Sequence, residues 1–116
     1  MTPERVCAVS DLPDGEAKGF TLSRDGRQTR IVVVRQGDVL RAYLNRCPHE
    51  GTPLDWTPGR FLSPRKEYLV CQIHGALFEI EDGFCVDGPC AGDSLVPLEI
   101  SVHEDEIFVL TGDGDA

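Results

Sequence analysis

Two short stretches of the chain combine cysteine with histidine at a spacing that suits one metal centre. One residue separates Cys47 from His49, and two residues separate Cys71 from His74. A cysteine and a histidine this close in sequence share a loop, so two such loops offer two thiolates and two imidazoles. That set serves structural zinc sites and [2Fe–2S] clusters in which two histidines replace two cysteines on one iron.

Details of the two stretches favour the iron–sulfur cluster over zinc. Zinc fingers tend to pair cysteine with cysteine and histidine with histidine, whereas each stretch here carries one of each. Gly51 and Gly75 follow the histidines, and glycine tolerates positive φ and a close approach of the backbone to a cluster. Pro48 and Pro53 fix φ and stiffen the first stretch, which suits an electron carrier. A zinc-stabilised binding module without a redox role is the alternative that the residues leave open.

The two stretches and the residues after them resemble the Rieske family. Residues 47–54 read CPHEGTPL and residues 71–79 read CQIHGALFE, close to the C-P-H-x-G-x-P-L and C-x-x-H-G-x-x-F-[DE] patterns of that family. Gly88-Pro89 looks like the start of the proline loop that covers the cluster in the family. The similarity spans roughly residues 4–110 and implies a free-standing ferredoxin without a further catalytic domain.

The resemblance implies a role for each residue of the site, with one Rieske-type [2Fe–2S] cluster as the cofactor. Cys47 and Cys71 are expected to bind the inner iron as thiolates, and His49 and His74 the outer iron through imidazole nitrogens. The residues expected to surround the cluster are Gly51, Gly75, Ala76, Phe78, Pro89 and Cys90.

Four positions predict a low reduction potential. High-potential members of respiratory complexes carry a disulfide between the loops, at positions that Thr52 and Ile73 occupy here. They also carry a serine and a tyrosine whose hydroxyls donate to cluster sulfide and ligand sulfur, at positions that Ala76 and Phe78 occupy here. Hydroxyl donors stabilise the reduced cluster, which carries more negative charge, so their absence lowers the reduction potential. A centre of the low-potential, oxygenase-associated type is therefore expected, with a reduction potential of about −150 mV, at the low end of the Rieske range.

Composition agrees with a small electron carrier. The chain has 116 residues, of which 41% are hydrophobic, enough for one domain of common size. No stretch approaches a membrane span, and the first residues lack a signal layout, so a cytoplasmic protein is expected. Thiols stay reduced in that compartment, and Cys7, Cys85 and Cys90 are expected to be buried or half-buried thiols that act as small hydrophobic residues. His103 lies in an acidic turn and is expected to be a surface residue.

Charge is distributed unevenly along the chain. Residues 1–66 carry 11 basic and 8 acidic residues, whereas residues 67–116 carry 12 acidic and no basic ones, so the net charges are +3 and −12. This asymmetry suits either general solubility or the electrostatic steering of a redox partner. Nucleic acid is not expected as a partner, because phosphate contacts need a basic footprint.

Short strands separated by turns predict an all-β fold. Helical periodicity is absent, and closely spaced strands with turn punctuation indicate a sandwich or barrel. The expected strands are 6–9, 17–22, 29–35, 39–44, 68–70, 76–80, 84–86, 98–102 and 107–110. The resemblance implies that residues 1–116 form a single domain, an antiparallel β-sandwich with a cluster-binding subdomain at residues 45–91. The tail, 111–116, is expected to fray, and residues 56–66 to form a surface excursion.

These observations predict a soluble, monomeric Rieske-type ferredoxin that is an electron carrier and not an enzyme. By resemblance, it carries electrons from an NAD(P)H-dependent flavoprotein reductase to a terminal Rieske non-haem iron oxygenase. Beyond the cluster ligands only His103 is available, so the chain lacks the two histidines and the carboxylate of a mononuclear iron site. A small electron-entry subunit of a larger oxidoreductase, such as a nitrite-reductase-like complex, is the second hypothesis.

Overall fold

The part of the chain that the computed structural model describes contains nine antiparallel strands and one short 3-10 helix, joined by loops. The described residues are 3–24, 26–48, 52–55, 57, 59–72 and 75–110. The strands are β1 (Glu4–Ala8), β2 (Ala17–Arg24), β3 (Arg27–Gln36), β4 (Val39–Leu44), β5 (Tyr68–Val70), β6 (Leu77–Glu79), β7 (Cys85–Asp87), β8 (Pro97–His103) and β9 (Glu106–Leu110). No helix among these residues is long and apolar enough to cross a membrane.

The strands form two sheets of unequal size. The larger sheet has the order β1-β9-β8-β4-β3-β2, and the smaller one has the order β5-β6-β7. All neighbouring strands are antiparallel. The predicted all-β antiparallel class is therefore confirmed. The boundaries of a cluster-binding subdomain at 45–91 stay a prediction, and the tail at 111–116 lies outside the described residues.

Strand β3 joins two hydrophobic cores because both of its faces are covered. Val32 and Val34 belong to one core, which also contains the small sheet, whereas Ile31 and Val33 belong to the other. All four side chains are fully buried. An unbroken apolar run is what a strand buried on both faces requires, since neighbouring side chains point to opposite sides.

Val9 was expected to end the first strand, and this expectation was wrong. The residue begins a 3-10 turn, Val9–Asp11, and its amide donates to the carbonyl of Asp105 at 2.8 Å. The bond attaches the chain to the turn between β8 and β9, so β1 stops at Ala8.

The excursion before β5 is only partly on the surface. Phe61 is 1% exposed and belongs to the core that contains the small sheet. Its ring lies against β2, where a Cβ added to Gly19 would come within 2.8 Å of it. The expectation that residues 56–66 form a surface excursion is thus wrong for Phe61. Trp56 lies outside the described residues.

Candidate metal centre

Cys47 and Cys71 lie in one hydrophobic core, and each comes shortly after a strand. Cys47 follows β4 after two residues, and Cys71 follows β5 directly. Both side chains are fully buried. The structure thus brings the two predicted thiolate ligands into the same interior. His49 and His74, the two predicted imidazole ligands, lie outside the described residues, as does Gly51.

Backbone hydrogen bonds close each cysteine loop on itself. The Cys47 amide donates to the Thr52 carbonyl at 2.7 Å, and the Cys71 amide donates to the Ala76 carbonyl at 2.9 Å. The Gly75 amide donates to the Cys71 carbonyl at 2.7 Å. These bonds satisfy buried polar groups that would otherwise be costly, and they fix the backbone on both sides of each cysteine.

Asn45 joins the two ends of the first cysteine loop, a role that sequence reasoning missed. Its Oδ1 accepts a hydrogen bond from the Leu54 amide at 2.7 Å, which connects the residues before and after the first loop. Its Nδ2 donates to Asp55 at 2.8 Å. The Leu54 carbonyl then accepts from the Gln72 amide, next to Cys71, at 2.9 Å. The only sequence signal was an asparagine placed directly between a strand and a cysteine.

Ala76 and Phe78, two predicted neighbours of the cluster, follow Cys71 and pack beside it in the core. Both side chains are fully buried in the same core as the two cysteines. Gly88 packs so closely on Ala76 that an added Cβ would lie 2.7 Å from the Ala76 Cα. Gly75 has φ of +71°, the left-handed conformation that glycine accepts most readily.

A third cysteine reaches the site from the segment after β7. Cys90 is 3% exposed, whereas Pro89 before it is on the surface. The Cys90 Sγ lies 3.3 Å from the Cys85 Sγ, and Cys90 belongs to the same hydrophobic core as Cys47. Burial is the main cause that raises the pKa of the Cys90 thiol to about 12, and the hydrogen bond with Cys85 adds to it.

Two other predictions about the remaining residues are confirmed. Cys7, like Cys85 and Cys90, is buried and forms no disulfide. Burial raises the pKa of the Cys7 thiol, as expected for a thiol that acts as a small apolar residue. His103 is exposed, and its ring contacts that of Phe108 edge-on at a centroid distance of 5.9 Å.

The donor set and one orphaned polar atom fit an iron–sulfur cluster. Two fully buried cysteine sulfurs in a shared core are suited to thiolate ligation in a water-excluded site. The Thr52 hydroxyl oxygen, in the loop that begins at Cys47, is buried and has no hydrogen-bond partner among the described residues. A buried polar atom without a partner is costly, so a bound group with acceptor atoms beside this loop suits it.

Comparison with solved structures finds the same fold in ferredoxins. The ferredoxin of carbazole 1,9a-dioxygenase from Nocardioides aromaticivorans IC177 is 27% identical, with a TM-score of 0.71, and the match covers 94% of this chain and 97% of that one. A chain from a complex of reduced oxygenase and oxidized ferredoxin in carbazole 1,9a-dioxygenase is 28% identical, with a TM-score of 0.69. That match covers 90% of this chain and 89% of the other.

A curated relative is much longer. The carnitine monooxygenase oxygenase subunit of Acinetobacter pittii (strain PHEA-2) is 28% identical over 88 residues. The match covers 68% of this chain and 23% of the relative, so this chain spans about a quarter of the length of the curated relative that it matches.

A family model settles the relationship that the two cysteine loops indicated. The Rieske [2Fe-2S] domain matches residues 2–104, nearly the whole chain. This match favours the cluster over the zinc alternative and agrees with the ferredoxin fold of the solved relatives. The chain belongs to the Rieske [2Fe-2S] domain family and carries one Rieske-type cluster.

Proposed function

We propose that this protein is a ferredoxin that carries single electrons within a multicomponent oxygenase system. It would receive them from an NAD(P)H-dependent flavoprotein reductase and pass them to a terminal Rieske non-haem iron oxygenase. The observation that carries the proposal is the match to a dioxygenase ferredoxin that covers 94% of this chain and 97% of the relative. The structure of a ferredoxin with its oxygenase supports the choice of electron acceptor.

The proposed ligands are Cys47 and Cys71 on one iron and His49 and His74 on the other. The burial of both cysteines in one core supports the thiolate half of this assignment. The hydrogen bond from the Gln72 amide to the Leu54 carbonyl supports it too, because it holds the two loops side by side. The histidine half rests on the match between the loop sequences and the family.

The chain itself would keep the site dry and rigid. When bound, the cluster supplies a centre that takes up and gives off one electron. Ala76 and Phe78 exclude water from the cysteine side of the site, since both are fully buried. Hydrogen bonds from the Cys47 and Cys71 amides to carbonyls of their own loops hold the ligands in place. A site whose atoms move little when the cluster gains or loses an electron favours fast electron transfer.

Low-temperature EPR of the dithionite-reduced protein tests the cofactor together with the function. We expect a rhombic signal with an average g value below that of the free electron, with two irons and two sulfides per chain. The oxidised protein should then be reduced anaerobically by cell extract of its source organism supplemented with NADH or NADPH. A protein that neither nucleotide reduces in this way would contradict the reductase step.

Single substitutions test the ligands. Cys47→Ser, Cys71→Ser, His49→Ala and His74→Ala should each abolish the rhombic signal. Cys7→Ser is the matched control, because Cys7 is also buried but belongs to the other hydrophobic core, and it should keep the signal. A signal that survives any of the four substitutions unchanged would remove that residue from the ligand set.

The size of the native protein separates a carrier from a fixed subunit. As a cytoplasmic, monomeric carrier without membrane or nucleic-acid partners, the protein should elute from its source cells as a small monomer, separate from any large subunit. A small electron-entry subunit would instead elute in a stable complex with a large subunit. That result would favour the second hypothesis.

A further inference from the structure

One face of the small sheet carries apolar side chains that are exposed or half-buried. The other face, with Leu69, Phe78 and Cys85, is buried in the core that contains the two proposed cysteine ligands. Successive side chains of a strand point to opposite faces, so the residues between these three point away from the core. This outer face consists of Tyr68, Val70, Leu77, Glu79, Phe84 and Val86.

A short segment before β8 widens the outer face. Phe84 pairs with Ser94 in an antiparallel bridge, and the Leu95 amide donates to the Gly83 carbonyl at 2.9 Å. Leu95 is buried in the core, whereas Val96, the next residue, is exposed. Val96 therefore lies at the border of the outer face.

Exposed apolar side chains are concentrated on this part of the molecule. Among the described residues, the large hydrophobic side chains that are exposed are Phe84, Val86, Val96 and Val102. The first three belong to the outer face or its border, whereas Val102 lies on β8 of the large sheet, six residues beyond Val96. Single exposed apolar residues are normal, but a contiguous apolar patch marks an interaction site.

The border of the outer face is mainly negative. Its acidic residues are Glu79, Glu81, Asp82, Asp87 and Asp93. Arg41 adds one positive charge at the turn after β6, where its Nε donates to the Glu81 carbonyl at 2.9 Å. Lys66, shortly before β5, is paired with Glu16 at 2.8 Å. No lysine or arginine follows Lys66 in the sequence, so the acidic charge of this border is largely unbalanced.

The acidic border selects among possible partners. A second copy of this chain would bring two acidic borders together, and like charges repel. The anionic surface of a lipid bilayer is disfavoured for the same reason. A protein with an apolar surface that is bordered by lysine and arginine matches both the apolar side chains and the charge.

The outer face begins beside the second cysteine loop. Val70 precedes Cys71, and Leu77 follows Ala76. Val70 and Leu77 are directly opposite each other in the sheet, so both ends of the loop adjoin the apolar face. A protein that docks on this face therefore lies next to the loop of a proposed cluster ligand.

We propose that the outer face of the small sheet binds a redox partner protein, through an apolar surface of the partner that lysine and arginine side chains border. This inference rests on the proposed function, because it names the surface that one of the proteins exchanging electrons with the cluster contacts. Burial of Phe84, Val86 and Val96 supplies the affinity. The acidic border speeds the encounter and selects the partner.

Oxidised cytochrome c, a small redox protein whose exposed apolar haem edge is bordered by lysines, is a suitable probe. Its binding to the oxidised holoprotein, measured by isothermal titration calorimetry at low ionic strength, requires no electron transfer. Val86→Ser should raise the Kd roughly threefold to tenfold, because it removes apolar contact area at the interface. Val102→Ser is the matched control, since the two valines are similarly exposed, at 43% and 45%, and it should leave the Kd unchanged.

A second pair of variants tests the charge of the face. Glu79→Gln should weaken binding of cytochrome c, and added salt should weaken binding of the unmodified protein. Glu99→Gln removes the same charge from an exposed position on β8 and should weaken binding less. If Val86→Ser does not bind iron, Val96→Ser replaces it with the same expectation, because Val96 lies outside the strands of the small sheet.

Several results would overturn the docking surface. The unmodified protein might be expected to bind cytochrome c at low ionic strength only if the proposal holds, so absence of binding contradicts it. Equal Kd values for Val86→Ser and Val102→Ser, with full iron content in both, contradict it too. Sedimentation at high salt and flotation with phosphatidylcholine vesicles test the other occupants. A dimer or vesicle binding that Val86→Ser abolishes would show that the face binds a second copy or a membrane instead.

Failure of this proposal is distinguishable from failure of the proposed function. A protein that binds cytochrome c through the outer face, but that cell extract with NADH or NADPH does not reduce, contradicts the reductase step and leaves the docking surface intact. A protein that the extract reduces, but whose Val86→Ser variant binds cytochrome c as well as the unmodified protein does, contradicts the docking surface alone.

Discussion

Tyr43 links the two sheets through one buried hydroxyl. The side chain is 1% exposed, and its hydroxyl donates to the Ile80 carbonyl oxygen at 2.6 Å. Ile80 follows β6 in the small sheet, whereas Tyr43 lies in β4 of the large one. Burial raises the pKa of Tyr43 to about 12, as the largest of several causes.

Replacing Tyr43 by phenylalanine should lower the free energy of unfolding by about 1 kcal/mol at neutral pH, because it removes one buried hydrogen bond. The pH dependence has a definite sign. The folded-state pKa of Tyr43 lies above the unfolded value, near 10, so the protonated side chain stabilises the fold below about pH 10. That contribution is lost as the pH rises from about 10 to about 12.

Urea denaturation of the Tyr43→Phe protein from pH 7 to 12 measures both effects. The variant should lack the part of the alkaline destabilisation that Tyr43 causes in the unmodified protein. Tyr68→Phe, which changes the half-buried tyrosine of β5, is the matched control. Equal stability of Tyr43→Phe and the unmodified protein at pH 7 would show that the hydroxyl does not link the sheets.

At the residue scale, the sequence allowed predictions only for side chains whose role depends on local spacing. The cysteine and histidine pairs stand out because two loops carry the same combination of side chains. The role of Asn45 was out of reach, because its hydrogen bonds to Leu54 and Asp55 join residues that only the fold brings together. The amide side chain alone has many other uses.

At the scale of the elements, Gly88 packs the segment after β7 against Ala76 of the second cysteine loop. Its φ is +105°, and an added Cβ would lie 2.7 Å from the Ala76 Cα and 3.1 Å from the Ala76 Cβ. Backbone atoms cannot move aside as a flexible side chain does. The absence of a side chain at Gly88 is therefore needed for close packing as well as for backbone conformation.

Gly88→Ala should lower the melting temperature and the cluster content more than Gly92→Ala does. Gly92 has a similar φ, +98°, but no atom of the described residues lies within 4 Å of an added Cβ. Both substitutions place a side chain in a strained conformation, at a cost of about 1 kcal/mol or more. The difference between them isolates the contact with Ala76. Equal losses in thermal denaturation and iron analysis would mean that the contact contributes nothing.

Phe61 anchors the excursion between the first cysteine loop and β5. Phe61→Ala should reduce the free energy of unfolding by roughly 3–5 kcal/mol, the usual cost of removing a fully buried phenylalanine. Leu62→Ala, at the neighbouring and only half-buried position, should cost less. Urea denaturation at neutral pH measures both, and a Phe61→Ala loss no larger than that of Leu62→Ala would contradict the anchor.

At the element scale, the sequence predicts nine strands because β-branched runs alternate with glycine turns. The bounds of β4 and β5 are as predicted, and the ends of the other strands differ by at most two residues. Phe61 escaped prediction because its neighbours, Pro58, Gly59 and Arg60, are typical of a surface loop. Its burial depends on Gly19, more than 40 positions earlier. A cavity formed by a distant strand leaves no periodic pattern in the segment that fills it.

At the scale of the whole molecule, the charge asymmetry predicts a negative field on the side of the second cysteine loop. Residues 67–116 have a net charge of −12, and they include the second cysteine loop and the segment that contains Cys90. Asp87 is exposed at the end of β7, and its Oδ1 accepts a hydrogen bond from the Gly88 amide at 2.9 Å. The charge of Asp87 is thus held next to the residue that packs on Ala76.

Small redox complexes of opposite charge measure this field without a partner protein. Oxidation of the reduced protein by hexaammineruthenium(III), a cation, should slow as ionic strength rises, because salt screens the attraction. Oxidation by ferricyanide, an anion, should accelerate. The same sign for both complexes would show that steering by net charge is absent, and solubility would then remain the reason for the acidic composition.

Asp87→Asn tests whether the charge beside the site matters more than total charge. The asparagine oxygen can still accept from the Gly88 amide, so the loop should keep its shape. We expect the reaction with the cationic complex to slow by roughly twofold to fivefold at low ionic strength. Glu104→Gln removes the same charge from the exposed turn between β8 and β9 and should change the rate less. Equal effects would mean that the net charge of the molecule, not its arrangement around the cluster, attracts the cation.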